Sequence, residues 1–199
     1  MKITKIYKTE SAHIVRSCSS ERCSHSIHGH SAKIEVSLES ESLDNAQMVY
    51  DFGLMGGTIK KFIDSLDHCY LLCGKESEEY KQFIKKNCAR WIELPFNPSA
   101  EMLSLFIYGG CKYIIDHTSF ENGEDEGIKI HSITYHETDT GRAECDYNDY
   151  KKLFCPYFKL SDIVFSDGVV KDWGDEMYEM WYNDAIVFNK APENQLKFK

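Results

Sequence analysis

Three histidines have the types and spacing of a metal site. His28 and His30 are two residues apart, and successive side chains of a β-strand point to opposite faces. Their imidazoles therefore share a face, with Gly29 turned the other way. If His13 reaches the same point from a neighbouring strand, the three rings form a His₃ site, which leaves the fourth position of a tetrahedral zinc ion open for water or substrate. An open position is typical of a catalytic rather than a structural zinc site.

A cysteine close to these histidines is a candidate for thiolate chemistry. Cys23 lies in a polar loop five positions before His28, and the adjacent Arg22 is a cation that favours the thiolate form. A lone cysteine is more commonly a small core residue or an inert thiol. Cys18 is the competing candidate and lies further from the histidines.

The dipeptide Asp67-His68 is a candidate for acid–base chemistry. A carboxylate bonded to one imidazole nitrogen fixes the tautomer and raises the basicity of the other nitrogen. The same dipeptide also occurs by chance, and it can simply cap the C-terminus of a helix.

Composition limits the classes of protein to which the chain can belong. A length of 199 residues with 42% hydrophobic content predicts one globular domain with an appendage. No apolar run reaches membrane-span length and the N-terminus lacks the apolar core of a signal peptide, so we expect a cytoplasmic protein that inserts into no membrane. The eight cysteines are then unpaired thiols. A formal charge of −9 argues against a nucleic-acid partner.

The hydrophobic pattern predicts an α+β fold with an antiparallel four-stranded sheet and two helices on one face. Ile34, Val36 and Leu38 alternate with polar residues as in a half-buried strand. The first predicted elements are strands at 2–17 and 30–40, separated by a loop at 17–27. Two helices follow, one from Asp51 as N-cap to about Leu66 and one with Ser99 as N-cap. The last two strands, near 128–137 and 142–147, are joined by a hairpin turn at Asp139-Thr140-Gly141.

Two segments fall outside this scheme. Residues 74–94 are predicted to be an insertion, with a helix from Glu78 to Cys88 and a short strand from Arg90 to Leu94. Residues 148–199 are aromatic and acidic, and too apolar for a disordered tail. We therefore expect a first unit at 1–147 and a C-terminal extension at 148–199 that packs on it or on a neighbouring subunit.

Six short motifs occur in the order found in one known family. Over roughly residues 3–147 the chain resembles the 6-pyruvoyl-tetrahydropterin synthase and 6-carboxytetrahydropterin synthase family. The motifs that carry the resemblance are Ser11-Ala12-His13, Cys23 ahead of His28-Gly29-His30, Met48-Val49-Tyr50-Asp51-Phe52, Leu66-Asp67-His68, Asn97-Pro98-Ser99-Ala100-Glu101 and His136-Glu137-Thr138.

The resemblance implies a fold, an assembly and a substrate. The fold is the tunnelling fold (T-fold), in which trimers close a continuous β-barrel and two trimers usually stack into a homohexamer. Active sites are then built at subunit interfaces. The implied substrate is the small-molecule pterin 7,8-dihydroneopterin triphosphate, and the implied cofactor is Zn²⁺.

The resemblance also implies catalytic roles. Cys23 and His68 would be the acid–base pair, with Asp67 tuning His68. The spacing between Cys23 and His28 is four residues, whereas the carboxytetrahydropterin synthases usually have three and the pyruvoyl synthases five. The implied zinc ligands are His13, His28 and His30.

Substrate-binding roles follow from the same motifs. In the resemblance Glu137 anchors the amino-pyrimidine edge of the pterin, which suits bidentate acceptance by a carboxylate. Glu101 and Ser99 line the pterin pocket, with serine in place of the usual threonine. Without the resemblance, Glu137 reads as an exposed acid at a strand end, and Glu101 as a charge favourable to the helix dipole. Cations that can hold the triphosphate are Arg16, Arg22 and Lys129.

The functional hypothesis is a zinc-dependent carbon–carbon lyase of the queuosine pathway. Such an enzyme converts 7,8-dihydroneopterin triphosphate to 6-carboxy-5,6,7,8-tetrahydropterin, with release of acetaldehyde and triphosphate. The first alternative is a 6-pyruvoyl-tetrahydropterin synthase, which eliminates triphosphate without cleaving a carbon–carbon bond. An alternative of another class is a non-catalytic protein that binds zinc or a pterin.

Overall fold

A long antiparallel hairpin forms the centre of the sheet in the computed structural model, which describes residues 1–124 and 127–190. Strands β1 (Lys2–His13) and β2 (His28–Glu39) pair along their whole length, with His13 directly opposite His28. The even-numbered residues of β2 from Ala32 onward are buried against the helices. The first strand ends at His13 rather than at residue 17, and the second begins at His28 rather than at residue 30.

Seven strands of the described residues form one mixed sheet in the order β7-β6-β2-β1-β3-β4-β8. A two-stranded parallel sheet, β5-β9, lies beside it. The remaining strands are β3 (Cys69–Cys73), β4 (Trp91–Leu94), β5 (Thr118–Phe120), β6 (Lys129–His136), β7 (Arg142–Asp146), β8 (Val164–Phe165) and β9 (Val187–Asn189).

The predicted α+β class is confirmed, but the prediction of four strands was wrong. The antiparallel strands β7, β6, β2 and β1 are present, and β3 and β4 extend them in parallel orientation. All five residues of β3 are buried, so its sequence lacks the polar alternation that indicates a strand. The short strand predicted in the insertion is β4.

Helices cover one face of the central hairpin. Ser99 caps α4 as predicted, because its Oγ accepts a hydrogen bond from the Met102 N–H at 3.4 Å. The helices are α1 (Glu21–His25), α2 (Thr58–Asp64), α3 (Glu78–Asn87), α4 (Ala100–Asp116), α5 (Tyr147–Asp149, continued by a π-turn at Tyr150–Phe154), α6 (Asp167–Val170) and α7 (Gly174–Asn183).

The helix predicted from Asp51 is interrupted. The Asp51 carboxylate accepts from the Gly53 N–H at 2.6 Å and closes a turn, a 3₁₀ turn follows at Leu54–Gly56, and α2 begins only at Thr58. Consecutive glycines raise the entropic cost of a continuous helix, which explains the break.

The C-terminal segment contributes to the same core as far as residue 190. Phe154 and Trp173 are at most 1% exposed, and the Trp173 indole N–H donates to Ser65 Oγ at 2.7 Å. Trp181 stacks on Phe62 of α2 with ring centroids 5.5 Å apart. The segment therefore covers α2, while residues 191–199 of the predicted extension lie outside the described residues. Among the described residues, no helix has the length and apolar character needed to cross a membrane.

Removal of the Trp173 side chain tests how much the C-terminal segment stabilises the fold. We expect Trp173→Ala to lower the free energy of unfolding by about 3–5 kcal/mol, because it leaves a large cavity beside α2. Urea denaturation measures this change. Tyr157→Ala removes an exposed aromatic side chain of the same segment and should change the free energy by less than about 0.5 kcal/mol. Equal effects of the two substitutions would show that the segment is only loosely attached.

Candidate metal centre and active site

The three histidines meet at the end of the β1–β2 hairpin where residues 14–27 connect the two strands. Because His13 pairs with His28, and His30 lies two residues further along β2, all three side chains share the face that buries the core. Their ring centroids are 4.6, 5.2 and 5.1 Å apart. Candidate ligand atoms of the three rings lie within 4.8 Å of one another, and no other such group of His, Cys, Asp and Glu occurs in the described part of the chain.

The nitrogen atoms of this cluster suit a metal ion. Nε2 of His13 and Nε2 of His30 are buried and have no hydrogen-bond partner among the described residues. Burial lowers the pKa of His13 to about 4, helped by the neighbouring His28 and His30 and opposed by a hydrogen bond to the Pro98 backbone. His13 is therefore neutral at pH 7 and offers the lone pair that a metal needs.

Backbone carbonyls orient two of the three rings. His28 Nδ1 lies 3.0 Å from the Ser26 carbonyl oxygen, so Nδ1 donates its proton and Nε2 keeps its lone pair. The Pro98 backbone is a hydrogen-bond partner of His13, whose Nε2 atom has no partner among the described residues. Ser26 and Pro98 are contributions to the site that the sequence did not reveal, because a backbone carbonyl carries no residue signature.

Glu137 lies at the histidine cluster itself. Its Oε1 atom is 3.7 Å from His13 Nε2 and 3.6 Å from His30 Nε2. These distances are close to the separation of about 3.4 Å between neighbouring ligand atoms around a tetrahedral zinc ion. A carboxylate oxygen at this separation lies where a fourth ligand of a tetrahedral ion would lie, so Glu137 can either coordinate the ion or bind a molecule that takes this position. It also adds a negative charge beside the three imidazoles.

Cys23 lies in a helical turn within the segment predicted as a loop. Helix α1 carries it, and the Cys23 carbonyl accepts from the Val15 N–H at 3.0 Å, which ties the turn to the end of β1. The half-buried thiol forms no hydrogen bond within the described residues. The Cys18 thiol, in contrast, donates to the Ser20 carbonyl at 3.2 Å. Cys23 is thus the less engaged of the two thiols.

Asp67 and His68 form a hydrogen-bonded pair. His68 Nδ1 is 2.9 Å from Asp67 Oδ2, and Asp67 Oδ1 accepts from the Glu10 N–H at 2.7 Å. Partial burial alone would raise the pKa of Asp67, but the Glu10 N–H and His68 outweigh it and hold this pKa below its usual range. The ionised carboxylate fixes one ring nitrogen of His68 and leaves the other free.

The His68 side chain is 76% exposed. Within the described part of one chain, no hydrogen bond links it to Cys23. A cavity of about 560 Å³ has both His68 and His30 in its wall. One chain therefore brings the three histidines and Glu137 together and presents the Asp67–His68 pair on its surface.

The Asn97-Pro98-Ser99 motif connects α4 to the histidine cluster. The Asn97 side chain accepts from the Arg16 N–H at 3.0 Å and donates to the Arg16 carbonyl at 2.6 Å. Pro98 bonds His13 and Ser99 caps α4. Glu101, in the first turn of α4, is exposed and has no ion-pair partner among the described residues, so its carboxylate is available to a ligand.

Arg16 joins the turn that carries Cys23 to Glu76 of the insertion. Its guanidinium makes a two-pronged contact with Glu76, at 2.6 and 3.2 Å, and also donates to the Ser24 carbonyl at 2.9 Å. The guanidinium carbon lies 5.7 Å from the Tyr80 ring centroid, near enough for a cation–π contact. The guanidinium of Arg16, predicted as one of the cations for the triphosphate, is thus paired with Glu76 within the chain.

The other predicted triphosphate cations differ in position. Lys129 pairs with Glu39 at 3.4 Å, and Glu39 lies nine residues beyond His30 on β2, which is about 30 Å away. In one chain Lys129 is therefore remote from the histidine cluster. Arg22 is exposed and has no partner among the described residues.

Loss of the Glu76 charge should loosen the segment that carries Cys23. We expect Glu76→Gln to speed amide hydrogen exchange in residues 17–27 by about fivefold, because a lost charged hydrogen bond of about 1 kcal/mol lowers the local opening energy. Mass spectrometry of proteolytic fragments measures this exchange. The matched control is Glu79→Gln on the exposed side of α3, where exchange should not change. Unchanged exchange in both variants would show that the Arg16–Glu76 pair does not hold this segment.

Comparison with known proteins places the chain among pterin enzymes. The profile described as 6-pyruvoyl tetrahydropterin synthase matches residues 2–148. The 6-carboxy-5,6,7,8-tetrahydropterin synthase of Helicobacter pylori strain J99 is 39% identical over 180 residues, which cover 88% of each chain. The protein of the same name from Aquifex aeolicus is 31% identical over 121 residues, which cover 59% of this chain and 72% of that protein.

Solved structures share the fold. An uncharacterized protein of Wolinella succinogenes superposes with a TM-score of 0.60 at 21% identity, over 74% of this chain and 98% of that one. The 6-pyruvoyl tetrahydropterin synthase of Caenorhabditis elegans superposes with a TM-score of 0.50 at 18% identity, over 73% of this chain and 94% of that one. These structures support the fold, and the profile match together with the sequence relatives shows that the chain belongs to the 6-pyruvoyl tetrahydropterin synthase family.

Proposed function

We propose that the chain is a zinc-dependent lyase that converts 7,8-dihydroneopterin triphosphate to 6-carboxy-5,6,7,8-tetrahydropterin, releasing acetaldehyde and triphosphate. The observation that carries the proposal is the cluster of His13, His28 and His30 beside the Glu137 carboxylate. The name of the Helicobacter pylori relative, which is 39% identical, supports this product over others.

The three histidines would hold zinc through their Nε2 atoms. Bound zinc supplies polarisation of the substrate side-chain hydroxyls, which makes the adjacent C–H protons easier to remove. The protein prepares this site before any ligand arrives, because His13 is buried and neutral and His28 is fixed in one tautomer.

Cys23 and His68 would move the protons. The half-buried Cys23 thiol is free of hydrogen bonds in the described part of the chain, so it can act as a base once it is ionised. His68 keeps one ring nitrogen on Asp67 and uses the other to accept and return a proton. Asp67 orients His68 and stabilises its protonated form.

We infer that a second copy of the chain completes the site. The supporting observation is that His68 is exposed and that no contact joins it to Cys23 within the described residues of one chain. In the assembly that the family resemblance implies, a homohexamer of two trimers, His68 of the partner subunit would face Cys23. All eight cysteines are free, which suits a reducing compartment such as the cytoplasm.

Carboxylates at two places can hold the pterin. Glu137 remains a candidate for the amino-pyrimidine edge, and its position 3.6–3.7 Å from two ligand nitrogens also suits proton exchange with the hydroxyls of the substrate. Glu101 has no ion-pair partner in the described part of the chain and follows Ser99 at the start of α4, so it is the second candidate anchor. Both carboxylates and Ser99 stay in the proposed substrate site.

Product identification separates the proposed function from its alternatives. We expect purified, zinc-loaded protein incubated with 7,8-dihydroneopterin triphosphate to form the 6-carboxy pterin and acetaldehyde, detected by mass spectrometry and an aldehyde trap. Cys23→Ala and His68→Ala should each lower kcat by at least about 100-fold, which is the usual contribution of a positioned acid or base. Cys18→Ala is the matched control and should retain activity.

Two other results would overturn the proposal. A 6-pyruvoyl product without acetaldehyde would assign the activity of a 6-pyruvoyl-tetrahydropterin synthase, which cleaves no carbon–carbon bond. The four-residue spacing between Cys23 and His28 is compatible with either activity. Zinc and pterin binding without turnover would assign a binding protein.

A further inference from the structure

A second cavity, of about 510 Å³, also has His68 in its wall. It lies where the α2 helix, the end of the insertion and the C-terminal segment meet. The lining residues are Lys8, Lys60, Lys61, Asp64, Ser65, Asp67, His68, Arg90, Val169, Asp172 and Trp173.

The side chains that line this cavity carry a net positive charge. It holds four basic side chains and three acidic ones besides His68, in a chain whose formal charge is −9. Lys60 pairs with Asp64, and Arg90 pairs with Asp172. The Asp67 carboxylate is hydrogen-bonded to His68. Lys8 and Lys61 have no ion-pair or hydrogen-bond partner among the described residues, so their ammonium groups are available to an anion.

The wall of the cavity is fixed by Arg90. Its guanidinium donates to the backbone carbonyls of Asp67 at 2.9 Å, Asp64 at 2.8 Å and Gly168 at 2.8 Å. These bonds join the residue before His68, the end of α2 and the C-terminal segment at a single side chain. The buried Trp173 closes the same wall through its bond to Ser65. The C-terminal segment therefore shapes a cationic surface next to the Asp67–His68 pair.

We propose that this cavity binds the triphosphate group of the substrate, with Lys8 and Lys61 as its cationic ligands. The inference rests on the proposed function, which gives the substrate a triphosphate and His68 a role at the reacting carbon atoms. Because the cavity and the Asp67–His68 pair share a wall, the cavity accompanies His68 to whichever metal centre His68 serves. Lysine ammonium groups bind phosphate oxygens as point charges.

Binding of inorganic tripolyphosphate tests this assignment without requiring turnover. Calorimetric titration of the zinc-loaded wild-type oligomer should detect binding, and the double variant Lys8→Gln/Lys61→Gln should raise the Kd by about tenfold or more, as expected for two lost charged contacts. The matched control Lys86→Gln/Lys151→Gln removes the same charge from exposed lysines outside the cavity and should leave the Kd unchanged. Thermal unfolding of both variants should match that of the wild type.

Steady-state kinetics give the second readout. The Lys8→Gln/Lys61→Gln variant should raise KM for 7,8-dihydroneopterin triphosphate by a similar factor. Equal tripolyphosphate affinity in the two double variants, or no binding by the wild type, would overturn the assignment even if the 6-carboxy product forms. The protein could also bind tripolyphosphate through Lys8 and Lys61 and yet form no pterin product. That result would support the anion site and contradict the proposed lyase activity.

Discussion

The pairing register of β1 with β2 is the constraint on which the histidine cluster depends. His13 meets His28 only because the two strands are aligned as they are, and a shift of one residue would turn one set of imidazoles to the opposite face. Gly29 permits this alignment, because a Cβ atom there would lie 2.9 Å from the Ser11 carbonyl oxygen. The buried alternation of Ile34, Val36 and Leu38 further along β2 holds the register, since their burial would be lost with it.

A second group of residues holds the segments that carry the candidate catalytic residues Cys23 and His68. Arg16 joins the cysteine-bearing turn to the insertion through Glu76, and Asn97 fixes the backbone of Arg16. Arg90 performs a similar task near His68, where it connects the insertion to α2 and the C-terminal segment. The insertion and the C-terminal segment thus both contact elements that carry candidate catalytic residues, which gives them a role beyond adding bulk to the core.

The sequence predicted those parts of the structure that depend on residues close together in the chain. The two-residue spacing of His28 and His30, the cap at Ser99 and the hairpin after β6 depend on neighbours in the chain, and all three are present. Three features were missed because distant contacts decide them. The fully buried β3 has no polar alternation, and the Arg16–Glu76 pair joins residues 60 positions apart. Strand β8 joins the sheet by pairing with β4, more than 70 residues earlier in the chain.

Zinc coordination in the purified protein is the most direct test of the central claim. X-ray absorption at the zinc edge should show three nitrogen ligands at about 2.0–2.1 Å and one oxygen ligand, and the spectrum should keep this form in Glu137→Ala because the oxygen belongs to an exchangeable water molecule. Replacement of His28 by alanine should abolish tight binding of zinc. A sulfur ligand at about 2.3 Å, a fourth imidazole, or an oxygen ligand that disappears with Glu137 would show that the protein itself closes the fourth position, and would contradict an open catalytic site.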